Sequence, residues 1–310
     1  MTYPTDGILL IDKAEGETSY DVVRKIKRIF KDLKVGKFGH SGTLDPFATG
    51  LLIILVGQGT KLSPFIMSQR KRYLATLRLG IETDTLDLTG KVICERAVPK
   101  LSLEFIRSKV QGFSGNIEQT PPIYSAIKYK GTRAYKLARE GYAPTLKKRI
   151  VSIYSFDVTS VELPDVTMEV ECSSGTYMRS LASDLGRELG SCGHLRSLRR
   201  LRCGPFNANN ALKSQEILAE NLQIILNENL ISLGSALPDM PEIVVENSIA
   251  GLVRQGRQSV LQSLADGLDP VPFEGDHFKL IENGELVAVV KSGKSGRDGH
   301  VRLEISRVFV

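Results

Sequence analysis

Apolar positions along the chain follow two periods, and these predict its elements. Gly7-Ile8-Leu9-Leu10-Ile11 is a short apolar run suited to a buried strand. Thr18-Ser19-Tyr20-Asp21 then has the form of a capping box. Val22, Ile26, Ile29 and Phe30 follow at helical spacing, so a helix is expected over about Ser19–Leu33. A glycine-rich loop from Gly36 to Gly50 leads into the apolar segment Leu51-Leu52-Ile53-Ile54-Leu55-Val56. Tyr73, Ala75, Leu77 and Leu79 alternate with Leu74, Thr76 and Arg78. Val166, Met168, Val170 and Cys172 alternate with Thr167, Glu169 and Glu171, so both patterns predict strands with one buried face. Ser173-Ser174-Gly175 turns the second strand into a helix from about Tyr177, with Met178, Leu181, Leu185 and Leu189 on one side and Gly190 at its end.

Mixed strands and helices with long excursions between them point to an α+β domain. Around Pro238-Asp239-Met240-Pro241 the texture changes. Phe278-Lys279-Leu280, Leu286–Val290, Val301-Leu303-Ile305 and Val308-Phe309-Val310 are short apolar runs broken by glycine, the pattern of a small β-barrel. The expected organisation is a large domain over 1–236 and a small β-rich one over 240–310. The chain has no internal repeat and no low-complexity tract.

Composition narrows the class. With 42% hydrophobic and 25% charged residues over 310 positions, the chain reads as an ordinary globular protein. No apolar stretch reaches membrane-spanning length, and the first six residues do not form a secretory signal, so a cytoplasmic location and no membrane partner are expected. Cys94, Cys172, Cys192 and Cys203 form no CxxC pair, and none of the four histidines are spaced i, i+4. A disulfide framework and a metal site are therefore poorly served. The net charge of +6 favours a polyanionic partner only modestly. Its distribution says more, with basic clusters over Arg24–Lys37, Arg70–Arg72, Lys128–Arg139, Lys147–Arg149 and Arg196–Arg202. On charge alone, solvated surface explains such clusters equally well.

Four segments could carry chemistry. In Gly39–Gly50 three glycines and a proline fix a tight loop around His40 and Asp45, although an Asp-Pro turn explains the aspartate by itself. Lys71-Arg72-Tyr73 and Thr83-Asp84-Thr85-Leu86-Asp87 flank a strand in which an aromatic is ordinarily core. Gly175-Thr176-Tyr177-Met178-Arg179-Ser180-Leu181 sets a tyrosine and an arginine at a strand-to-helix corner. Gly193-His194-Leu195-Arg196-Ser197-Leu198-Arg199-Arg200 is basic, with leucines between.

Each segment is weak alone, but together they are distinctive. Gly-Ile-Leu-Leu-Ile-Asp-Lys (7–13), Gly-His-Ser-Gly-Thr-Leu-Asp-Pro-Phe-Ala-Thr-Gly (39–50), Lys-Arg-Tyr (71–73), Thr-Asp-Thr-Leu-Asp (83–87), Gly-Thr-Tyr-Met-Arg-Ser-Leu (175–181) and His-Leu-Arg-Ser-Leu-Arg-Arg (194–200) fall in order as in the TruB family of tRNA pseudouridine synthases, which the chain resembles to about Phe206. The resemblance implies a mixed, mainly antiparallel-sheet pseudouridine synthase domain with a C-terminal PUA-like barrel. It implies isomerisation of the uridine at conventional position 55 in the T-arm stem-loop of tRNA. No cofactor, metal or obligatory protein partner is implied, and the expected state is a monomer.

By the resemblance, Asp45 is the catalytic carboxylate, Arg179 its ionic partner and Tyr73 the stacking platform with a hydroxyl placed for proton transfer. Tyr177 and Leu198 would line the uracil pocket, His40 would occupy the gap left by the flipped base, and Lys13 would support the site. RNA contacts would come from Lys128, Lys130, Arg133 and Arg139 in an insertion over about 124–150, and from Arg199 and Arg200. Ala14, Ser41 and Phe38 depart from the family's usual residues without touching the catalytic set. Two alternatives remain: a guide-RNA-dependent relative of the box H/ACA type, and a tRNA-binding chaperone. The tail stopping at Val310 without a basic extension favours the stand-alone enzyme over the first. The Asp45, Tyr73 and Arg179 set argues against the second.

Overall fold

A computed structural model describes residues 5–33, 35–142, 144–265, 274–293 and 302–310. The first apolar run forms β1 (Gly7–Lys13), and α1 (Ser19–Ile29) follows. Thr18 and Asp21 exchange side-chain and backbone hydrogen bonds at the start of α1. Such a cap contributes about 1 kcal/mol. The helix is shorter than the spacing predicts. At Phe30 the chain leaves it for a 3-10 turn over Lys31–Leu33, because the buried Phe30 ring packs edge-on against Phe38, 5.7 Å away, and draws the chain back to the sheet.

β2 (Phe38–His40) and β3 (Thr49–Val56) bracket the loop of Asp45, so the predicted Gly36–Gly50 loop contains a short strand at its start. α2 (Ser63–Ser68), β4 (Lys71–Leu79) and the hairpin β5 (Ile81–Thr83) and β6 (Val92–Glu95) come next. α3 (Leu103–Gln111) and β7 (Gly115–Gln119) lead into the insertion, whose core is the two-residue hairpin β8 (Lys128–Tyr129) and β9 (Thr132–Arg133) with α4 (Ala134–Arg139). β10 (Arg149–Glu162), β11 (Asp165–Cys172), α5 (Met178–Glu188), β12 (Gly193–Cys203), β13 (Phe206–Asn207) and β14 (Leu212–Lys213) complete the large unit.

These strands form one mixed sheet in the order β14-β1-β3-β12-β4-β11-β10-β7, with β2 on β3 and β13 on β12. Most pairs are antiparallel. β14 on β1 and the short contact of β12 with β3 are parallel. This is the expected α+β class. One face carries the main core, where Val22, Ile26, Ile106, Leu181 and Leu185 of the helices cover Leu52, Ile54, Ala75, Leu77 and Val170. β3 is buried on its other face too, which accounts for its unbroken apolar run.

That second face, with Ile8, Leu10, Ile53 and Leu55, packs against Leu286, Val289 and Phe309 of the C-terminal unit. Here the described residues form a β unit without showing the closed barrel expected. Among the described residues, β15 (Glu242–Val244), β16 (His277–Glu282), β17 (Glu285–Ser292) and β18 (Leu303–Val308) form an open sheet in that order. Leu286 and Val289 face the large unit, while Val287, Ala288 and Val290 join the core under the helix Asn247–Arg254, so both faces of β17 are covered. Val301, counted in one apolar run, lies outside the described residues. Lys279 is buried at the junction, with Nζ donating to Glu242 Oε1 at 2.7 Å and Gly234 O at 3.1 Å. No helix among the described residues is long and apolar enough to cross a membrane.

Candidate active site

The sheet order brings β3, β12 and β4 side by side, and a cavity of about 930 Å³ opens over them. Asp45, Tyr73, Tyr177, Arg179, Leu198, Arg200 and His40 all line it, as do Arg133 and Arg139 of the insertion. Its volume is in the range of small-molecule sites, roughly 300–1,000 Å³.

The loop holding Asp45 is pinned, not loose. Ser19 Oγ accepts from Leu44 N at 2.8 Å and donates to Leu44 O at 3.1 Å. Leu44, Phe47 and Ala48 are buried, and the Ala48 amide donates to Asp45 O at 3.0 Å to close a turn. Lys13 lies beneath, fully buried, donating to Ala14 O, Glu17 O and Pro46 O at 2.8, 2.7 and 3.2 Å. Its contact with Pro46 anchors the residue after Asp45. Gly50 returns the loop to β3 at φ +96°. A Cβ there would come within 2.3 Å of Arg200 O, so only glycine lets the two strands approach.

Arg179 enters at the first turn of α5, where the helix dipole disfavours a cation. Its burial, at 5% exposure, needs compensation, which two carboxylates supply. Nε lies 3.0 Å from Asp45 Oδ2 and Nη1 lies 3.4 Å from Asp87 Oδ2. Nη1 also donates to Thr85 O at 3.0 Å and Nη2 to Tyr124 O at 2.9 Å. Asp87 is held in turn: its Oδ1 accepts from Thr85 Oγ1, Thr89 Oγ1 and Thr89 N at 2.7, 2.6 and 2.9 Å.

Burial raises the Asp45 pKa above its ordinary value, and Arg179 opposes this by favouring the anion. Its side chain keeps a third of its surface open to the cavity, so the carboxylate remains accessible. Tyr73 is buried on β4, directly across from Arg200 on β12. Burial pushes its hydroxyl up to about 12, so it is a neutral phenol at physiological pH. Burial lowers the His40 pKa, with the Arg200 charge adding to the effect, which favours a neutral imidazole.

Two of the arginines expected at the RNA have partners within the protein. Arg200 is buried, with Nε donating to Leu51 O at 2.6 Å and Nη2 to Gly42 O at 3.1 Å. It braces the cavity wall because its position on the central strand β12 points it inward. Arg199 forms a two-pronged pair with Asp12, at 2.9 and 2.6 Å, so its guanidinium is already engaged. Lys128 and Lys130 sit on the insertion's hairpin, outside the cavity lining.

Residue-by-residue reading missed Asp87 and Gln119. Asp87 ends the Thr83–Asp87 motif, whose pattern alone gives it no role. Gln119, buried on β7, accepts from Tyr177 N at 2.7 Å and donates to Tyr177 O at 3.0 Å, fixing the backbone where α5 begins. A lone buried glutamine at a strand end leaves no sequence signal. Among the described residues, no three His, Cys, Asp or Glu side chains gather into a set that could hold a metal ion.

A mixed sheet with these helices and this cavity is the pseudouridine synthase fold. The chain superposes on a solved Cbf5–Nop10–Gar1 complex at TM-score 0.72 and 23% identity, covering 99% of this chain and 85% of that one. A box H/ACA ribonucleoprotein bound to a substrate RNA containing 2′-deoxyuridine gives 0.70 and 22%, over 99% and 86%. Sequence identity this low speaks to the fold only.

Closer kin narrow the class. Residues 27–178 match the TruB family pseudouridylate synthase N-terminal domain, and residues 179–237 match the tRNA pseudouridylate synthase B C-terminal domain. The tRNA pseudouridine synthase B of Clostridium kluyveri is 41% identical over 278 residues, 88% of this chain and 93% of that protein. That of Geotalea uraniireducens is 37% identical over 305 residues, 98% and 97%. The chain belongs to the TruB family of pseudouridylate synthases, and is therefore an isomerase that converts uridine to pseudouridine in RNA.

Proposed function

We propose that the enzyme isomerises the uridine at conventional position 55, in the T-arm of tRNA, acting alone on a flipped-out base with Asp45 as the catalytic carboxylate. The single observation that carries this reading is the Arg179–Asp45 pair at 3.0 Å inside a cavity that also holds Tyr73. The reaction breaks the bond between N1 of uracil and the sugar, turns the base and joins C5 to the same carbon. The proton on C5 leaves and N1 gains one, so the step is redox-neutral.

A base stacked in the RNA must swing out to reach Asp45. Tyr73 offers the ring on which it stacks, worth roughly 1–3 kcal/mol. Tyr177 and Leu198 close the sides of the pocket. A neutral His40 at the cavity edge suits the space that the base vacates. Asp45 then supplies the anionic group that glycosidic cleavage requires. Arg179 favours its ionised form despite desolvation and orients it. The phenol of Tyr73 is placed to assist removal of the C5 proton.

Lys128, Lys130, Arg133 and Arg139 belong to the grip of the insertion on the RNA backbone, which makes affinity fall with salt. The unit from about residue 240 is read as the PUA-like RNA-binding domain, working in the cytoplasm on a monomeric enzyme. The closer match to tRNA enzymes, about 40% identity against 22–23% for the guide-dependent particles, favours the stand-alone reading. Purified protein incubated with an unmodified T-arm stem-loop tests it. Pseudouridine at the target position without guide RNA or partner protein is expected. Product only when guide RNA is added would overturn the reading.

A further inference from the structure

The basic cluster that begins at Arg24 has no part in the site described so far. On α1 the residues Tyr20, Arg24, Lys27 and Arg28 recur at i, i+4, i+7 and i+8, which places them on one face of a helix with 3.6 residues per turn. All four are exposed, while Ser19, Val22, Val23 and Ile26 occupy the buried face. Lys31, also exposed, extends the row into the following 3-10 turn. Arg24 is paired with Asp21 at 2.6 Å. Among the described residues that is the stripe's one ion pair, so Lys27, Arg28 and Lys31 present free positive charge to solvent.

Two features separate this stripe from an ordinary solvated face. First, it starts at the active cavity: Tyr20 is in the lining of that cavity and is 67% exposed, which leaves its ring free to stack. Second, the sheet order sets it opposite the insertion. α1 follows β1, near the β14 edge of the sheet, whereas the insertion joins β7 to β10 at the other edge, and the cavity lies over the strands between them. A strand of RNA entering the cavity meets basic residues of the insertion on one bank. Thr18, Ser19 and Tyr20, at the start of α1, line the same cavity.

We infer that the Tyr20–Lys31 stripe is a second RNA-binding surface, with Tyr20 stacking on a base next to the flipped uridine and Lys27, Arg28 and Lys31 holding the phosphates that follow. The row from Tyr20 to Lys31 spans about 16 Å at the helical rise, enough for a few successive phosphates. Exposed aromatics combined with a cationic track are how proteins hold single-stranded segments. This surface rests on the proposed base-flipping reading, because that reading puts a single nucleotide in the cavity and its neighbours at the mouth.

The test is on binding, so it does not depend on turnover. Affinity for a fluorescein-labelled T-arm stem-loop is measured by anisotropy from low to high potassium chloride, for the wild type and for a Lys27→Ala/Arg28→Ala/Lys31→Ala variant. Loss of three phosphate contacts lowers the slope of log affinity against log salt by about 2–3. Tyr20→Ala, which changes no charge, weakens binding about tenfold. It also relieves the quenching of 2-aminopurine placed beside the target uridine. A thermal melt of each variant shows that the fold is intact. An unchanged salt slope in the triple variant, or unchanged affinity and quenching in Tyr20→Ala, overturns the inference. Should the wild type bind as described yet make no pseudouridine, the functional reading fails and the surface stands.

Discussion

Asp87 holds Arg179 by a carboxylate 3.4 Å from Nη1, while a different nitrogen of the same guanidinium, Nε, meets Asp45 at 3.0 Å. The cation is thus shared between the more open carboxylate of Asp45 and the buried one of Asp87, both in the cavity lining. Three donors already engage the other oxygen of Asp87, so its position is fixed before any RNA arrives. Asp87→Asn keeps shape and removes the charge. A displacement of Arg179 of the order of 1 Å can cost about 100-fold in rate. Turnover at saturating RNA is expected to fall by about that factor with KM little changed, as single-turnover kinetics will show. An unaltered rate would make Asp87 a packing residue only.

The ionisation of Asp45 gives a second expectation. Burial raises its pKa and Arg179 works against that rise. In the proposed mechanism the anion is the active form, so kcat/KM should fall as pH drops through the raised pKa. Arg179→Gln deletes the opposing cation, lifts the pKa further and shifts the acid limb to higher pH, beyond the loss in absolute rate. A limb at the same pH in both proteins would mean that Arg179 does not control the charge of Asp45.

Tyr73 separates platform from proton transfer. Its hydroxyl, pushed up to about 12, is protonated throughout the working range, so no alkaline limb from this group is expected below about pH 11. Tyr73→Phe retains the ring and should bind the stem-loop within about twofold of wild type, while turning over more slowly. Wild-type turnover in this variant would leave only stacking to Tyr73.

Gly50 reports on the geometry of the catalytic loop. At φ +96°, with Arg200 O only 2.3 Å from the place of a Cβ, Gly50→Ala forces β3 away from β12. A penalty well above 1 kcal/mol follows, and each 1 kcal/mol lowers Tm by about 2–4 °C in a protein of this size. A calorimetric scan showing no fall in Tm would contradict the close approach.

Much of this was legible in the chain because period and local chemistry decide it. The alternation at Tyr73–Leu79 and Val166–Cys172 became neighbouring strands β4 and β11, and the capping box opened α1 where expected. The glycines and proline around Asp45 marked the loop, and the resemblance supplied its partners. What stayed hidden is what depends on contacts distant in the chain. Arg199 and Arg200 look alike in a basic run, yet strand alternation sends one to Asp12 and the other beneath the cavity. Phe30 ends α1 early because of Phe38, eight residues away, and an apolar run in β17 suits an open sheet packed on both faces as well as a barrel. Asp87 belonged to a recognised segment, but its hold on Arg179 across 92 positions is visible only in the fold.

The role given to Asp45 is tested most directly by Asp45→Ala with the T-arm stem-loop as substrate. The proposal gives the carboxylate a part in the chemistry and puts the grip on RNA elsewhere. Pseudouridine formation should therefore vanish while the Kd for the stem-loop stays within a few-fold of wild type. Turnover near the wild-type rate in that variant would contradict the account.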